Sequence, residues 1–300
     1  MVSNSLKVAL IAAALGAAPL VAQAPEDMPV LTAKRVSPTF SMNMWNPAGH
    51  VKLIAWDRDS LVVRGRVDRS QKYFFGGDAN GAKLGILSGA KVAVEGGPQG
   101  DDGKPCDFVV WLPRRGRLSI KTVSADIEGI DVSGSFYTVS GAIRLSGTST
   151  SIEAESMNGN LDLGANVPWL RARTGDSHLL LRGKPQDVDA ATIAGTLDIA
   201  TPTVLRGQFT SVSGDIHYAG SPPTGAIFEF SNHSGSVDLL LPATAAGVFS
   251  LSSVTGSIEN SFSDVRPAAL SPRSLRITLG RGGASVTVRT YKGVIRLRSQ

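Results

Sequence analysis

A single cysteine among 300 residues excludes an internal disulfide, so the fold must hold without covalent staples. That residue, Cys106, stands in the Gly/Pro/Asp-rich stretch GGPQGDDGKPCDF and reads as an incidental free thiol in a loop. Past Ala24 no stretch approaches the ~20 apolar residues that a membrane-spanning helix needs, so no transmembrane helix is expected in the mature chain. No convincing apolar spacing at i, i+3, i+4 and i+7 follows either, so helices contribute little. The four histidines, His50, His178, His217 and His233, lack a His or Cys neighbour at metal-ligand spacing. No glycine belongs to a G-x-G-x-x-G, G-x-x-x-x-G-K-[ST] or G-G-x-G-x-D pattern, which removes the usual phosphate and calcium loops. These absences leave no cofactor and no catalytic or metal-binding residue to nominate.

What is present begins with a leader. Residues 1–24 hold one charge, Lys7, then an apolar run from Val8 to Val21 and the small-x-small step Ala22-Gln23-Ala24. This is the pattern of a secretory signal peptide, although Pro25 is a poor residue to follow the cut. The expected location is the periplasm, the outer surface or the medium. Of the 30 Lys and Arg residues Lys7 falls in the leader, which leaves 29 against 25 Asp and Glu, a net +4. The excess sits at the end: Arg273, Arg276, Arg281, Arg289, Lys292, Arg296 and Arg298 occur between 271 and 300 with no acid among them. A cationic segment attracts anionic envelope polymers or headgroups, and it equally keeps a terminal strand soluble and unpaired. No aromatic interleaving accompanies the charge, so nucleic acid is not an expected partner.

The main signal is a repeat. Small residues recur at Ala125, Gly141, Gly159, Gly175, Gly195, Gly214, Gly235, Gly256 and Gly293, in steps of 16 to 21 residues and a last step of 37. Two and four residues after them come apolar pairs such as Ile143/Leu145, Leu161/Leu163, Leu197/Ile199 and Val237/Leu239. Seven and five residues before them stand Ile152/Ala154, Val188/Ala190, Phe228/Phe230 and Val286/Val288. An apolar row also occupies position minus two, which makes about five expected inward side chains per unit: Val139, Met157, Ile193, Val212, Val254 and Tyr291, with His233 in the same phase. Alternation with period two marks half-buried strands, and its change of parity before the glycine demands a corner. Each unit therefore reads as two short strands around a corner where glycine supplies positive φ and close approach. One unit buries too little to stand alone, so units must stack and share strand hydrogen bonds. The predicted fold is all-β: a right-handed parallel β-helix, or β-solenoid, with turns of ~16–21 residues, regular over 111–300.

Two irregularities stand out. Around Gly175 the apolar rows fail, with Arg173 and Ser177 in their place and Leu179, Leu180 and Leu181 following; a register shift explains this most simply. A longer echo relates WLPRRGRLSIKTVSADIEG (111–129) to LLPATAAGVFSLSSVTGSIEN (240–260), as two related blocks of one solenoid would. Residues 25–110 form a less regular β cap. There NPAGHVKLIAWDRDSLVVRGRV reads as turn, strand, tight turn and strand, and 73–85 and 95–105 as excursions. Tyr73, Phe74 and Phe75 are placed to plug the open end of the stack, or to offer an aromatic platform.

NPAGHVKLIAWDRDSLVV, VVWLPRRGRLSIKTVSADIEG and the recurrent SG-[DAS]-I units together resemble the bacterial adhesin-type β-strand-repeat family of unknown function, with its "SGDI" repeats in the style of auto-transporter heads. The resemblance spans roughly residues 38–300. It implies an exported, noncatalytic binding or scaffold module of the cell envelope, and it carries no catalytic residues across. The partner would be an anionic envelope polymer or another envelope protein, with Arg289, Arg296 and Arg298 as the first candidates for contact. A carbohydrate-active β-helix enzyme is the rival reading, since Asp126, Asp162, Asp198 and Asp238 follow the corners and strands stack ~4.8 Å apart. An envelope-stress sensor domain is a third.

Overall fold

Around each corner the two apolar pairs become two strands that enter different sheets. The computed structural model describes residues 27–87, 103–262, 268–271, 273–281 and 283–300. The leader and most of the 95–105 excursion lie outside the described residues. Among the described residues every regular element is a strand, arranged in one sheet of 13 strands and one of 14. Pairing is mostly parallel. From Arg117–Thr122 and Asp126–Ile130 as far as Ile227–Asn232 and Val237–Leu241, successive strands alternate between the two sheets, and each pairs with the strand of its own sheet in the preceding unit.

The inward pairs of both sheets form one continuous apolar core, from Leu118 and Ile120 through Ile152, Leu163 and Phe209 to Val288 and Leu297. Width is adjusted locally. At Gly207 a Cβ would lie 2.5 Å from the Phe209 ring, so the missing side chain makes room for Phe209, which packs with Phe228 and Phe230, and Tyr218 packs edge-on against those two rings. Burial pushes the Tyr218 phenol well above its usual range.

The corner is built differently from the sequence expectation in three respects. First, none of the corner glycines has positive φ. They are needed for approach alone: a Cβ on Gly159 would sit 1.8 Å from the Gly141 carbonyl oxygen, and one on Gly214 1.9 Å from that of Gly195. Second, the column passes through Ser177, not Gly175, because Leu179 pairs with Leu161 and a Cβ on Gly195 would meet the Ser177 oxygen at 1.8 Å. The anticipated register shift is thus two residues. It restores Leu170/Ala172 and Leu179/Leu181 to the inward rows, where all four are buried. Third, the apolar row at minus two faces solvent. The inward place beside the corner belongs to the residue at minus three: Thr122, Thr138, Ser156, Thr174, Thr192, Ser211, Asn232, Ser253 and Thr290, all buried. Each is polar because the corner frees backbone groups that water cannot reach. Gly141 N donates to Thr138 Oγ1 (3.0 Å), Gly159 N to Ser156 Oγ (2.8 Å) and Gly235 N to Asn232 Oδ1 (2.8 Å).

The two ends depart from sequential stacking. Cys106–Pro113 pairs on one side of Gly49–Trp56 in the first sheet, and the chain then enters the second sheet at Arg117–Thr122, on the far side of Ser41–Asn46. The unit Ser41–Asn46/Gly49–Trp56 is stepped over. At the other end Val237–Leu241 leads to Gly247–Ser253 and Ile258–Asn260, and the gap so left is filled by the last unit, Ala284–Thr290 and Ile295–Ser299. Both steps begin at a Leu-Pro pair, Leu112-Pro113 and Leu241-Pro242, with turns closed by Gly116 N to Pro113 O (2.8 Å) and Ala245 N to Pro242 O (2.9 Å). The echo between 111–129 and 240–260 therefore marks two equivalent jumps of the chain. The 37-residue step from Gly256 to Gly293 holds the antiparallel strands Ala268–Ser271 and Ser274–Leu279, which pair outside Gly247–Ser253.

The first end is covered by antiparallel strands, Asp27–Arg35 on Ser60–Asp68 and the hairpin Lys72–Gly77/Gly81–Leu87. Tyr73 stacks on Phe108 (centroids 6.2 Å apart) and Phe75 packs on the core, while Phe74 is exposed. Cys106 is not in a loop. It opens a strand, is fully buried, and its Sγ donates to Gln71 Oε1 at 2.7 Å; burial pushes its thiol pKa up, which leaves it poorly suited as a nucleophile.

Candidate binding surface

The outer face of the first sheet carries a row three residues past the corner, one side chain per strand. Along the stack it runs Lys52, Glu128, Arg144, Asp162, Leu180, Asp198, His217, Asp238, Arg296 and Glu259. Acids alternate with bases or neutral residues, and neighbours pair. Lys52 Nζ lies 2.9 Å from Glu128, and Asp198 is held between His178 Nε2 (2.6 Å) and His217 Nδ1 (2.9 Å). Asp162 is bound by Arg182. Asp126 and Asp215 belong to the corner instead, accepting Ala142 N (2.8 Å) and Ser236 N (2.7 Å). Asp198 and Asp238 stand two strands apart, roughly 9.6 Å, with His217 between them. A glycosidase pair has two carboxyls about 5–9.5 Å apart across a sugar cleft. Here the row lies along an outer sheet face, with its carboxylates engaged by cations and histidines.

The three candidate arginines are not gathered. Arg289 projects from the second sheet and binds Glu229 Oε1 at 2.6 Å. Arg296 and Arg298 project from the first sheet. Arg296 bridges Asp238 (3.4 Å) and Glu259 (3.1 Å), and Arg298 Nη2 reaches the other oxygen of Asp238 at 3.2 Å. Asp238 is itself buried, so these two guanidiniums neutralise a desolvated carboxylate rather than stand ready as free cations. Arg273 lies on the corner side and donates to Val254 O at 3.1 Å.

Sequence reasoning assigned the minus-two row to the interior, and here the structure adds a feature. Met157 is 53% exposed, Ile193 58%, Val212 48%, Tyr291 44% and Val254 56%. In stacking order the row reads Val123, Val139, Met157, Gly175, Ile193, Val212, His233, Tyr291, Val254, one residue per strand along one edge of the molecule. Single exposed apolar residues are ordinary, whereas here several fall in one line broken only by Gly175 and His233. His233 and Tyr291 stack face to face within it, centroids 5.0 Å apart and planes 4° apart. Beside them lies a shallow open depression of about 440 Å³ lined by Thr210, Val212, Ser231, His233, Arg289 and Tyr291. The recurring Ser, Thr or Asn at minus three was the available sign that this row turns outward.

A second depression, about 380 Å³, sits at the first end beside Trp56, Arg58 and Arg114. Arg58 lies over the Trp56 ring (5.2 Å) and Arg64 over Trp111 (5.8 Å), so cations already occupy the indole faces. Arg114 ties Asp57 (3.0 Å) to Asp131 (2.8 Å), and both carboxylates hold its guanidinium strongly protonated.

No protein-family model matches this chain, and no curated protein matches it. Among solved structures it is similar to a "putative adhesin" from Bacteroides fragilis, with 12% identity, 90% of this chain and 96% of that one covered, and a TM-score of 0.49. A "putative lipid binding protein" from Parabacteroides distasonis shows 10% identity, 90% and 97% coverage and a TM-score of 0.34. A "putative cell adhesion protein" from Clostridium sporogenes shows 10% identity, 91% and 100% coverage and a TM-score of 0.27.

Proposed function

We propose that this chain is an exported, noncatalytic, adhesin-like binding or scaffold module of the bacterial cell envelope, built as a right-handed β-solenoid. The reading of a solenoid rests on the alternation of successive strands between two parallel sheets, and that of its hand on the strong right-handed preference of parallel crossovers. The reading of export rests on residues 1–24. One observation carries the functional reading: outer sheet faces whose charges are paired strand by strand, which offer an extended partner a repeating pattern. An anionic envelope polymer or another envelope protein is the partner that suits such a surface, through partial exchange of these surface pairs.

The test is sedimentation of the purified mature chain with isolated cell-wall sacculi and with lipopolysaccharide, at low and high salt. Salt-sensitive co-sedimentation with no release of reducing sugar is the expected result. An Arg289→Ala variant, which leaves the two guanidiniums on the buried Asp238 in place, should bind less at low salt. Release of sugar that Asp198→Asn or Asp238→Asn abolishes would replace this reading with the enzymatic one, and absence of binding to either material would overturn it.

A further inference from the structure

The outward minus-two row supports an inference independent of what the flat faces bind. We propose that it is a self-association surface, on which two copies of this chain pack their edges antiparallel about a two-fold axis between Ile193 and Val212. Four observations lead there. The row places Met157, Ile193, Val212 and Tyr291 in line, over five strand steps or about 24 Å. On the two strands at its centre the flanking positions are small and uncharged: Ala191 and Thr210 on one side, Ala194 and Ser213 on the other. Nothing at that centre repels a like surface or has to be desolvated as an ion.

The charges lie at the two ends, and they are of opposite sign where it matters. Glu155 and Asp176 flank the Met157 end, with Arg173 between them held by Asp189 at 3.5 Å; Arg289 and Lys292 flank the Tyr291 end. Antiparallel packing about that axis sets Ile193 against Val212 and Met157 against Tyr291, a sulfur–aromatic contact. It brings Glu155 opposite Arg289 of the other copy, and Asp176 within one strand step of Lys292. Parallel packing would oppose like ends instead. Finally, the same operation sets the stacked His233 against Gly175, the member of the row without a side chain, so the largest polar group meets the gap. A surface that satisfies itself under a two-fold operation is the requirement for an isologous dimer.

A single line of half-exposed side chains falls short of the ~800 Å² per partner of a standard stable interface, so a reversible, concentration-dependent dimer is expected. Sedimentation velocity of the mature chain across a concentration series reads it directly. The wild type should shift from monomer toward dimer, and Ile193→Asp should remain monomeric with an unchanged circular dichroism spectrum. Val212→Lys serves the same purpose should the first variant fail to fold. Asp176→Lys and Lys292→Asp should each weaken association, and the double variant should recover it. A wild type that stays monomeric throughout, or a dimer that survives both Ile193→Asp and Val212→Lys, overturns the proposal. Failure of the double variant to recover overturns the antiparallel register. Co-sedimentation of the monomer with phosphatidylcholine vesicles that Ile193→Asp abolishes would assign the row to lipid instead.

Discussion

The middle of the stack and its last units are made of the same two-strand module, yet they are assembled in different ways. Between Ser133 and Leu241 every unit rests on its neighbour in sequence, so each pairing closes a loop of about 20 residues. At the C-terminal end the neighbours of Ala284–Thr290 are Ile227–Asn232 and Gly247–Ser253, and those two strands meet only through it. Local pairing costs little loop-closure entropy, and distant pairing must wait for the chain to return. The middle can grow one unit at a time, whereas the end is completed by an inserted keystone.

Removal of residues 284–300 should therefore have the largest effect and a confined one. It strips both ladders from the slot between Ile227–Asn232 and Gly247–Ser253 and the matching slot in the first sheet. Hydrogen exchange is expected to lose protection over 247–260 and 274–279 while 133–199 stays protected. Retained protection across 247–260 would show that these strands do not depend on the inserted unit.

A second comparison lies within the middle itself. Gly159→Ala forces a Cβ to within 1.8 Å of the Gly141 carbonyl oxygen and should destabilise by ~3 kcal/mol, since backbone on both sides must move. Gly164→Ala, in the same unit, meets only the Leu145 oxygen at 3.8 Å and needs no positive φ. It should be neutral or stabilising by up to ~1 kcal/mol. Equilibrium urea unfolding of the two variants separates close approach from conformational freedom as the reason for the corner glycines.

The smallest effect concerns the other end. Asp68 accepts hydrogen bonds from Lys104 Nζ (2.8 Å), Ser70 Oγ and Ser70 N, and these lower its pKa to about 2, the Lys104 bond contributing most. Because the folded value lies below that of the unfolded chain, the contribution is complete above about pH 4. It fades as pH falls through about 2. Exchange rates at 60–72 should rise over that interval in the wild type and vary less with pH in Asp68→Asn, while the middle of the stack shows no matching transition. A pH profile unaltered by Asp68→Asn would assign the acid response elsewhere.

Much of the architecture was legible because it has a short period. Ile143/Leu145 and Ile152/Ala154 announce inward rows by alternation alone, and the flip of parity announces the corner. What misled was the weight given to residue type. Gly175 looks like a corner glycine, but strand pairing puts Ser177 there, since register is set by Leu161 against Leu179 and not by the glycine count. Met157, Ile193 and Val212 look buried because they are apolar. Only the hydrogen-bond demand of the corner, met by Ser156, Thr192 and Ser211, shows that the inward place was already taken. The arginine cluster of the last 30 residues is close in sequence, yet Arg289 and Arg296 lie on different sheets because a corner separates them.

By itself the chain determined its strands, its inward rows and the small residues at its corners, since each follows from side-chain alternation and steric room within one unit. Tertiary structure alone decided which unit lies beside which, that the last one inserts between two earlier ones, and that an apolar line faces water. Those outcomes depend on pairing between strands far apart in sequence and on backbone groups that must find partners at the corner, and neither is a property of any single unit.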